Sequence, residues 1–280
     1  MKKNNNPNKG LFFLYNTAAG RIILRIIAKN KIISCISGFL MNSFISKILI
    51  KPFIKKNSIN MDEFENKKYN SFNDFFTRKL KNYNFKTFNE NNTLISCATS
   101  RLMCYKVTND LTFTVKNSIY TVDSLIKNKK ISKNYDGGYV LVFRLSPDDY
   151  HRYCFIDDGR VLNKYRIKGA FHSVNPISYS KVKVFSENTR ECTLFKSDNY
   201  DDIIYVEVGA LLVGRIKNHD VKQVKKGDEK GFFMYGGSTV ILIFKKNTIK
   251  IDSKILENSL MNIETYVKYG EKIGIKYKNN

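Results

Sequence analysis

The sequence predicts an α+β protein in which N-terminal amphipathic helices are followed by a largely antiparallel β body. Three observations carry that reading. Apolar residues recur at three-to-four spacing as far as about Lys56, the period of a helix buried on one face. From Leu111 onward they gather instead into short β-branched or aromatic runs bounded by Gly, Asn, Asp or Pro, the pattern of strands. No repeat of fixed period and no long linker divides the chain, so one body is expected with an appendage, residues 1–65 ahead of residues 66–280. At 280 residues and 42% hydrophobic content the chain is long enough to bury a sizeable core.

Taken in order, residues 1–10 are polar and rich in Lys and Asn, and are expected to be disordered. Residues 11–56 read as a pair of basic amphipathic helices. Ile22, Ile23, Ile26 and Ile27 share a face while Arg21 and Arg25 sit four apart; Ile32, Ile36, Phe39, Leu40, Phe44, Ile48 and Leu49 continue the spacing. Lys47, Lys51, Lys55 and Lys56 cluster at the end that Pro52 is expected to interrupt. Such helices either lie in a membrane interface with Lys and Arg on anionic headgroups, or pack on the protein's own core. The longest uncharged stretch here, residues 32–46, is about 15 residues, short of the roughly 18 to 20 that span a bilayer. No signal-peptide cleavage pattern follows it. A short helix is predicted over residues 72–81, with Ser71 as N-cap and Asp74 as its acidic partner. Strands are predicted over residues 111–116, 139–145, 161–167, 181–185, 203–208 and 239–244.

The formal charge of +23 points to an anionic partner, a phospholipid surface or a nucleic acid. Biased composition is the plain alternative, since Lys, Asn and Ile are abundant all along the chain. Basic residues that accompany amphipathic helices favour lipid, and no nucleic-acid module is recognisable among the interleaved Tyr and Phe. The five cysteines, Cys35, Cys97, Cys104, Cys154 and Cys192, are odd in number and lack a C-x-x-C pair. That argues against a disulfide framework and a structural zinc site, and fits a reducing compartment.

Alone, the stretch Tyr235-Gly236-Gly237-Ser238-Thr239 is a Gly-Gly turn leading into a buried strand. Its company changes the reading. Upstream lie Lys226-Gly227-Asp228-Glu229-Lys230-Gly231-Phe232-Phe233, Val206-Glu207-Val208-Gly209-Ala210 and Phe171-His172-Ser173-Val174-Asn175-Pro176. Earlier still come Arg144-Leu145-Ser146-Pro147-Asp148-Asp149-Tyr150-His151-Arg152-Tyr153 and the helix that starts at Phe72. In this order the six segments resemble the successive signatures of the phosphatidylserine decarboxylase proenzyme family, from about Phe72 to the C-terminus. Glu207 and Gly209, by themselves, would serve as part of an ordinary buried strand.

The resemblance implies a self-made cofactor. Ser238 Oγ would attack the carbonyl of Gly237, the peptide would rearrange to an ester, and elimination would leave a large chain 1–237 and a small chain 238–280 headed by a pyruvoyl group. That ketone would form a Schiff base with the amine of phosphatidylserine and draw off the electrons released with carbon dioxide, giving phosphatidylethanolamine. No metal or dissociable cofactor is implied. Glycine at 237 gives the nucleophile access and tolerates strained dihedrals. The resemblance also implies a peripheral protein on the cytoplasmic side of the cell membrane, with anionic phospholipid as partner, and leaves a homodimer open.

Two departures stand out. The family's base, the second histidine of Tyr-His-Arg-x-His, falls on Cys154, and the aspartate that orients it falls on Thr99 in Ser96-Cys97-Ala98-Thr99-Ser100. Threonine does not ionise, and an unperturbed thiol titrating near ~8.5 gives little base at neutral pH. Self-cleavage is therefore expected to be slow or absent. The alternative function is an uncleaved relative that binds anionic lipid without doing chemistry. By resemblance His151 handles a proton in the decarboxylation, against a structural reading as a partly exposed histidine at a strand end. His172, with Ser173 and Asn175, falls in a segment expected to bind substrate; His172 is also a spare base should it face Ser238, though a structural histidine is the plainer reading. His219, in a polar stretch, is expected to be solvated.

Overall fold

The computed structural model describes residues 9–29, 31–81, 86–115, 118–179, 181–210, 215–236 and 238–277. In chain order the helices are α1 (Lys9–Asn16), α2 (Ala18–Lys29), α3 (Lys31–Asn42), α4 (Ile50–Asn57), α5 (Phe72–Phe76), α6 (Val122–Ile126), α7 (Lys129–Ser132), α8 (Val184–Glu187) and α9 (Ser253–Leu260). The strands begin with β1 (Thr93–Ile95), β2 (Ser100–Lys106), β3 (Thr112–Val115), β4 (Ser118–Thr121), β5 (Tyr139–Leu145), β6 (Arg152–Cys154), β7 (Gly159–Ile167) and β8 (Arg190–Ser197). They continue with β9 (Asp202–Val208), β10 (Ile216–Asn218), β11 (Gln223–Val224), β12 (Glu229–Phe233), β13 (Ser238–Phe244), β14 (Ile249–Ile251), β15 (Thr265–Val267) and β16 (Lys272–Lys276). Helices precede a body whose strand ladders are antiparallel, as predicted.

An eight-stranded sheet of order β11-β7-β8-β9-β13-β5-β2-β15 forms the middle layer. β13 lies near its centre, paired with β5 from Ser238↔Leu145 to Phe244↔Tyr139 and with β9 from Thr239↔Val208 to Ile243↔Ile204. All of β13 is buried because both faces of the sheet are covered, which is why it reads as an unbroken apolar run rather than an alternating one. On one face Leu145, Val240, Leu242 and Tyr205 pack with Tyr153, Cys154 and Ile273. On the other, Val142, Val206, Ile241 and Ile243 pack with the β3–β4 hairpin and α6 to α8. Small sheets of order β10-β12-β6 and β1-β16-β14 complete the body.

Several sequence expectations are corrected. The two predicted N-terminal helices are four, joined by a 3₁₀ segment, Phe44–Leu49. Pro52 does not interrupt: it sits in the first turn of α4, where a missing N–H has no intrahelical partner to lose. Residues 1–8 of the expected disordered tail lie outside the described residues, whereas Lys9 and Gly10 open α1. The helix predicted over 72–81 stops at Phe76. Beyond it Glu65 N bonds Lys79 O and Lys81 N bonds Glu63 O, so extended pairing takes over. Residues 181–185 are not a strand but the approach to α8: adjacent Val184 and Phe185 are both fully buried, which strand alternation does not favour. Of the strand expected at 111–116, β3 keeps 112–115, Leu111 being a turn residue at φ 59 and Lys116 lying outside the described residues.

The N-terminal helices use one side to dock on the body. Tyr15, Leu24 and Ala28 pack against Ile177 and Val182, and Phe171 N bonds Ala28 O. Met41, Ile50, Phe53 and Ile54 pack against the α5 aromatics Phe72, Phe75 and Phe76. Among the described residues no single helix is long and apolar enough to cross a membrane; α1 and α2 pass together on length and composition but bend by 98° between them.

Candidate active site

Ser238 opens β13 with its side chain on the face where Leu145, opposite, and Val240, two residues on, join the Cys154 cluster. It is fully buried, and its Oγ has no hydrogen-bond partner. Gly237, the other half of the predicted cleavage site, lies outside the described residues. The turn before it is anchored: Tyr235 N donates to Asn73 Oδ1 at 2.8 Å, and Gly236 takes φ 130, a left-handed conformation that favours glycine. Asn73 in turn donates to Asn42 Oδ1 at 3.1 Å, so α3 and α5 hold the turn together.

His151 is fully buried, not the partly exposed strand-end residue of the structural reading. Its ring lies 4.0 Å from that of Phe76 in α5. Its Nδ1 is 2.9 Å from Asp149 O; a carbonyl only accepts, so Nδ1 carries the proton of the neutral ring and Nε2 is the basic nitrogen. Nε2 has no partner. Burial, above all, pushes the imidazole down to about 3, against the pull of the Asp149 and Gly236 carbonyls. That contact with Gly236 places the ring beside the turn leading to Ser238.

Thr99 and Cys154 are brought together at Tyr269. The Tyr269 backbone N donates to Thr99 Oγ1 at 3.0 Å, and its phenol hydrogen-bonds the Cys154 thiol. Cys154 is fully buried, and desolvation pushes its thiol up to about 12, so at neutral pH it carries practically no thiolate.

His172, Ser173 and Asn175 form a third group. Asn188 clamps the His172 backbone, accepting from His172 N at 2.9 Å and donating to His172 O at 2.8 Å. It also donates to Gly209 O at 2.7 Å, and Gly209 follows Val208, the register partner of Thr239. The segment is thus tied to the strand beside Ser238 through backbone, while the His172 ring looks to Glu187, Nε2 to Oε2 3.9 Å. Ser173 Oγ accepts from Asn175 N, and Asn175 Oδ1 caps the turn at Ile177 N, so both side chains are engaged locally.

Other residues surfaced only in three dimensions. Glu207 is fully buried and pairs with Lys230 at 2.8 Å; Asn218 accepts from Lys230 and Tyr153 and donates to Glu207 and Glu191. Glu229 holds Arg152 through both carboxylate oxygens. His219 is not merely solvated, because its Nε2 lies 2.7 Å from Glu229 Oε1. The Lys226 to Phe233 motif thus fastens β12 to β6 and β9. Alternation alone cannot foretell such pairings.

The family model for phosphatidylserine decarboxylase matches residues 72–275. The chain belongs to the phosphatidylserine decarboxylase family. Membership is reinforced by relatives across nearly the whole length. It is similar to phosphatidylserine decarboxylase proenzyme 2 of Clostridium acetobutylicum, 49% identical over 267 residues that cover 95% of this chain and 92% of that protein. A phosphatidylserine decarboxylase proenzyme of Clostridium botulinum is 46% identical, with the same coverage of 95% and 92%. One of Desulfitobacterium hafniense is 40% identical, covering 96% and 93%.

Proposed function

We propose that the chain is a pyruvoyl-dependent phosphatidylserine decarboxylase that makes its own cofactor, cutting slowly between residues 237 and 238. The observation that carries this reading is the fully buried Ser238 Oγ at the head of the central strand, without a hydrogen-bond partner among the described residues and two residues after Gly236, whose carbonyl meets the buried His151 ring. Buried polar groups left unmatched call for an explanation, and at Ser238 and His151 the family's chemistry offers one.

In the cleavage step Ser238 Oγ attacks the Gly237 carbonyl and the nitrogen of residue 238 leaves, so the amide becomes an ester. Loss of the α-proton then expels the Gly237 carboxylate, and hydrolysis of the resulting enamine releases ammonia and leaves the keto group. His151 Nε2 is the base we assign to the serine proton, because Cys154 at about 12 is protonated and Thr99 cannot ionise. An imidazole held near 3 is a weak base, which makes the step slow rather than forbidden. His172 does not take this role, since its ring is engaged toward Glu187. The pyruvoyl group supplies a carbonyl to capture the substrate amine and to accept the electrons freed as carbon dioxide leaves. Around it Phe76 and the β13 neighbours exclude water, and His151 is the residue we assign to handle the proton that the substrate carbon takes up.

The lipid is met at the N-terminal helices. Phe39, Phe44, Ile45 and Ile48 are each at least 75% exposed, beside Lys51, Lys55 and Lys56. α3 and α4 pack on α5, so this apolar and basic surface lies on the side of α5 away from His151. A peripheral position on the cytoplasmic leaflet follows from that surface and from the free thiols of Cys97, Cys104, Cys154 and Cys192. The thiol of Cys154 and the hydroxyl of Thr99 favour one second reading, an uncleaved relative that binds anionic lipid without chemistry.

Intact mass and gel analysis of the purified chain decide between them. Slow appearance of fragments ending at residue 237 and beginning at a blocked residue 238 is expected, accelerated by Thr99→Asp with Cys154→His and abolished by Ser238→Ala. A chain recovered whole after long incubation rules out the decarboxylase; carbon dioxide release from phosphatidylserine, blanked with Ser238→Ala, then checks activity of the cleaved form.

A further inference from the structure

Five buried or partly buried arginines frame the body, and four are matched. Arg152 grips Glu229, Arg144 grips Glu264, Arg101 bonds Asp149 and Ser146, and Arg190 donates to four backbone carbonyls. Arg78 differs. It is 3% exposed, yet its Nε and Nη1 have no hydrogen-bond partner. Its guanidinium lies over Phe64 at 4.4 Å and Phe75 at 4.9 Å, and ring faces balance charge without accepting those N–H groups in conventional hydrogen bonds. Asp149 is within electrostatic reach, but its carboxylate is taken by Arg101 Nη1 and Ser146 N, both within 2.8 Å.

We propose that Arg78 is the binding residue for the phosphodiester of the lipid headgroup, taken up at the C-terminal end of α5. The inference rests on reading Ser238 as a phosphatidylserine site. Arg78 follows α5 directly; on that helix Phe76 stacks on His151, and Arg152, next to His151, donates through Nε to Thr77 O at 2.8 Å and Arg78 O at 3.3 Å. After burial, the main cause, the guanidinium also depresses the proton affinity of His151. A planar fork of N–H donors suits two oxygens of a phosphodiester. The carboxylate is the poorer match: it loses its charge as carbon dioxide leaves, so a cation held on it stabilises substrate over transition state. The phosphodiester keeps its charge throughout, so holding it lowers KM and leaves kcat unchanged.

Binding is measured by calorimetry on the full chain carrying Ser238→Ala, so that failure of cleavage in the parent protein has no bearing on the result. The probes are glycerophosphoethanolamine, glycerophosphoserine, free serine and inorganic phosphate. Arg78→Met, which keeps the stem packed on the two rings, is expected to weaken both glycerophosphodiesters equally and by at least about tenfold. Arg78→Lys, which keeps the charge without the fork, is expected to lie between the two, and serves alone should Arg78→Met fail to fold. Unchanged diester affinity in Arg78→Lys, or in a folded Arg78→Met, overturns the assignment. So does a loss confined to glycerophosphoserine, which would place the carboxylate there, or inorganic phosphate binding as tightly as the diesters, which would make it a site for the free ion.

Discussion

At His151 a fixed tautomer meets an environment that disfavours charge. The folded chain holds the ring near 3 while the unfolded chain returns it to about 6.5, so between these values the folded state carries fewer protons. The stability this contributes is complete above about pH 6.5 and is lost as pH falls toward 3, at up to about 1.4 kcal/mol per pH unit. Denaturant titrations at pH 7, 6, 5 and 4 are expected to show wild type losing stability more steeply than His151→Gln by that slope. Asp149 acts in the opposite sense: burial pushes its carboxyl up to about 6, so it favours the folded state below its ordinary range and loses that contribution as pH rises through 6. Both chains share Asp149, so the difference between them isolates the histidine. Equal slopes would mean that His151 is hydrated in solution. Of the two readings of His151, the partly exposed residue at a strand end fails, because tertiary packing supplies Phe76 and buries the ring.

Among the elements, α5 is the smallest that matters. Ser71 caps it as predicted, accepting from Asp74 N at 3.1 Å, but Asp74 turns its carboxylate to Asn70 N and Lys67 rather than to the capping residue. One helical turn carries Phe72, Phe75 and Phe76 into the core, and Phe72 and Phe76 meet Tyr235 edge-on at 5.0 and 5.3 Å. Its buried Asn73 joins α3 to the turn before Ser238. Asn73→Ala leaves the Tyr235 N–H unmatched, which costs about 1–3 kcal/mol and lowers Tm by roughly 2–12 °C. Cleavage should slow with it, since the serine loses its anchored approach. Asn73→Asp retains an acceptor for Tyr235 N and should restore most of the cleavage rate; if the alanine variant matches wild type in both scanning calorimetry and fragment formation, the anchor is dispensable. The capping pair Ser71 and Asp74 announced this helix. Its early end and the role of Asn73 were not legible, because the partner of Asn73 lies 162 residues away.

For the whole molecule, the N-terminal helices have two unlike sides. The inward side packs on α5 and on Ile177 and Val182; the outward side carries the exposed phenylalanines and isoleucines with lysines around them. Within the 3₁₀ segment Ser46 alone is buried, accepting from Phe72 N at 2.8 Å, which turns Phe44, Ile45 and Ile48 outward. Each such side chain is worth about 1.5–3 kcal/mol if fully withdrawn from water, and each lysine near an anionic surface about 1 kcal/mol. Replacing Phe44, Ile45 and Ile48 with serine is expected to reduce flotation with phosphatidylserine vesicles at least about tenfold while leaving Tm within ~2 °C. Retention on vesicles equal to wild type, or DNA retention that outcompetes vesicles at the same salt, would redirect the charge to another partner. Of the two alternatives read for these helices, packing on the protein's own core holds for the inward side, and the membrane surface is what we propose for the outward one.

Periodicity, residue identity and the order of the motifs were enough to establish the α+β class and the family, since each depends on neighbours along the chain or on a side chain's own chemistry. Which nitrogen of His151 is basic, why Cys154 stays protonated, where Arg78 lacks a partner and what Asn73 holds were decided only by tertiary structure. Hydrogen-bond partners and the loss of water are fixed by groups that meet in space from distant parts of the sequence, and no local pattern encodes them.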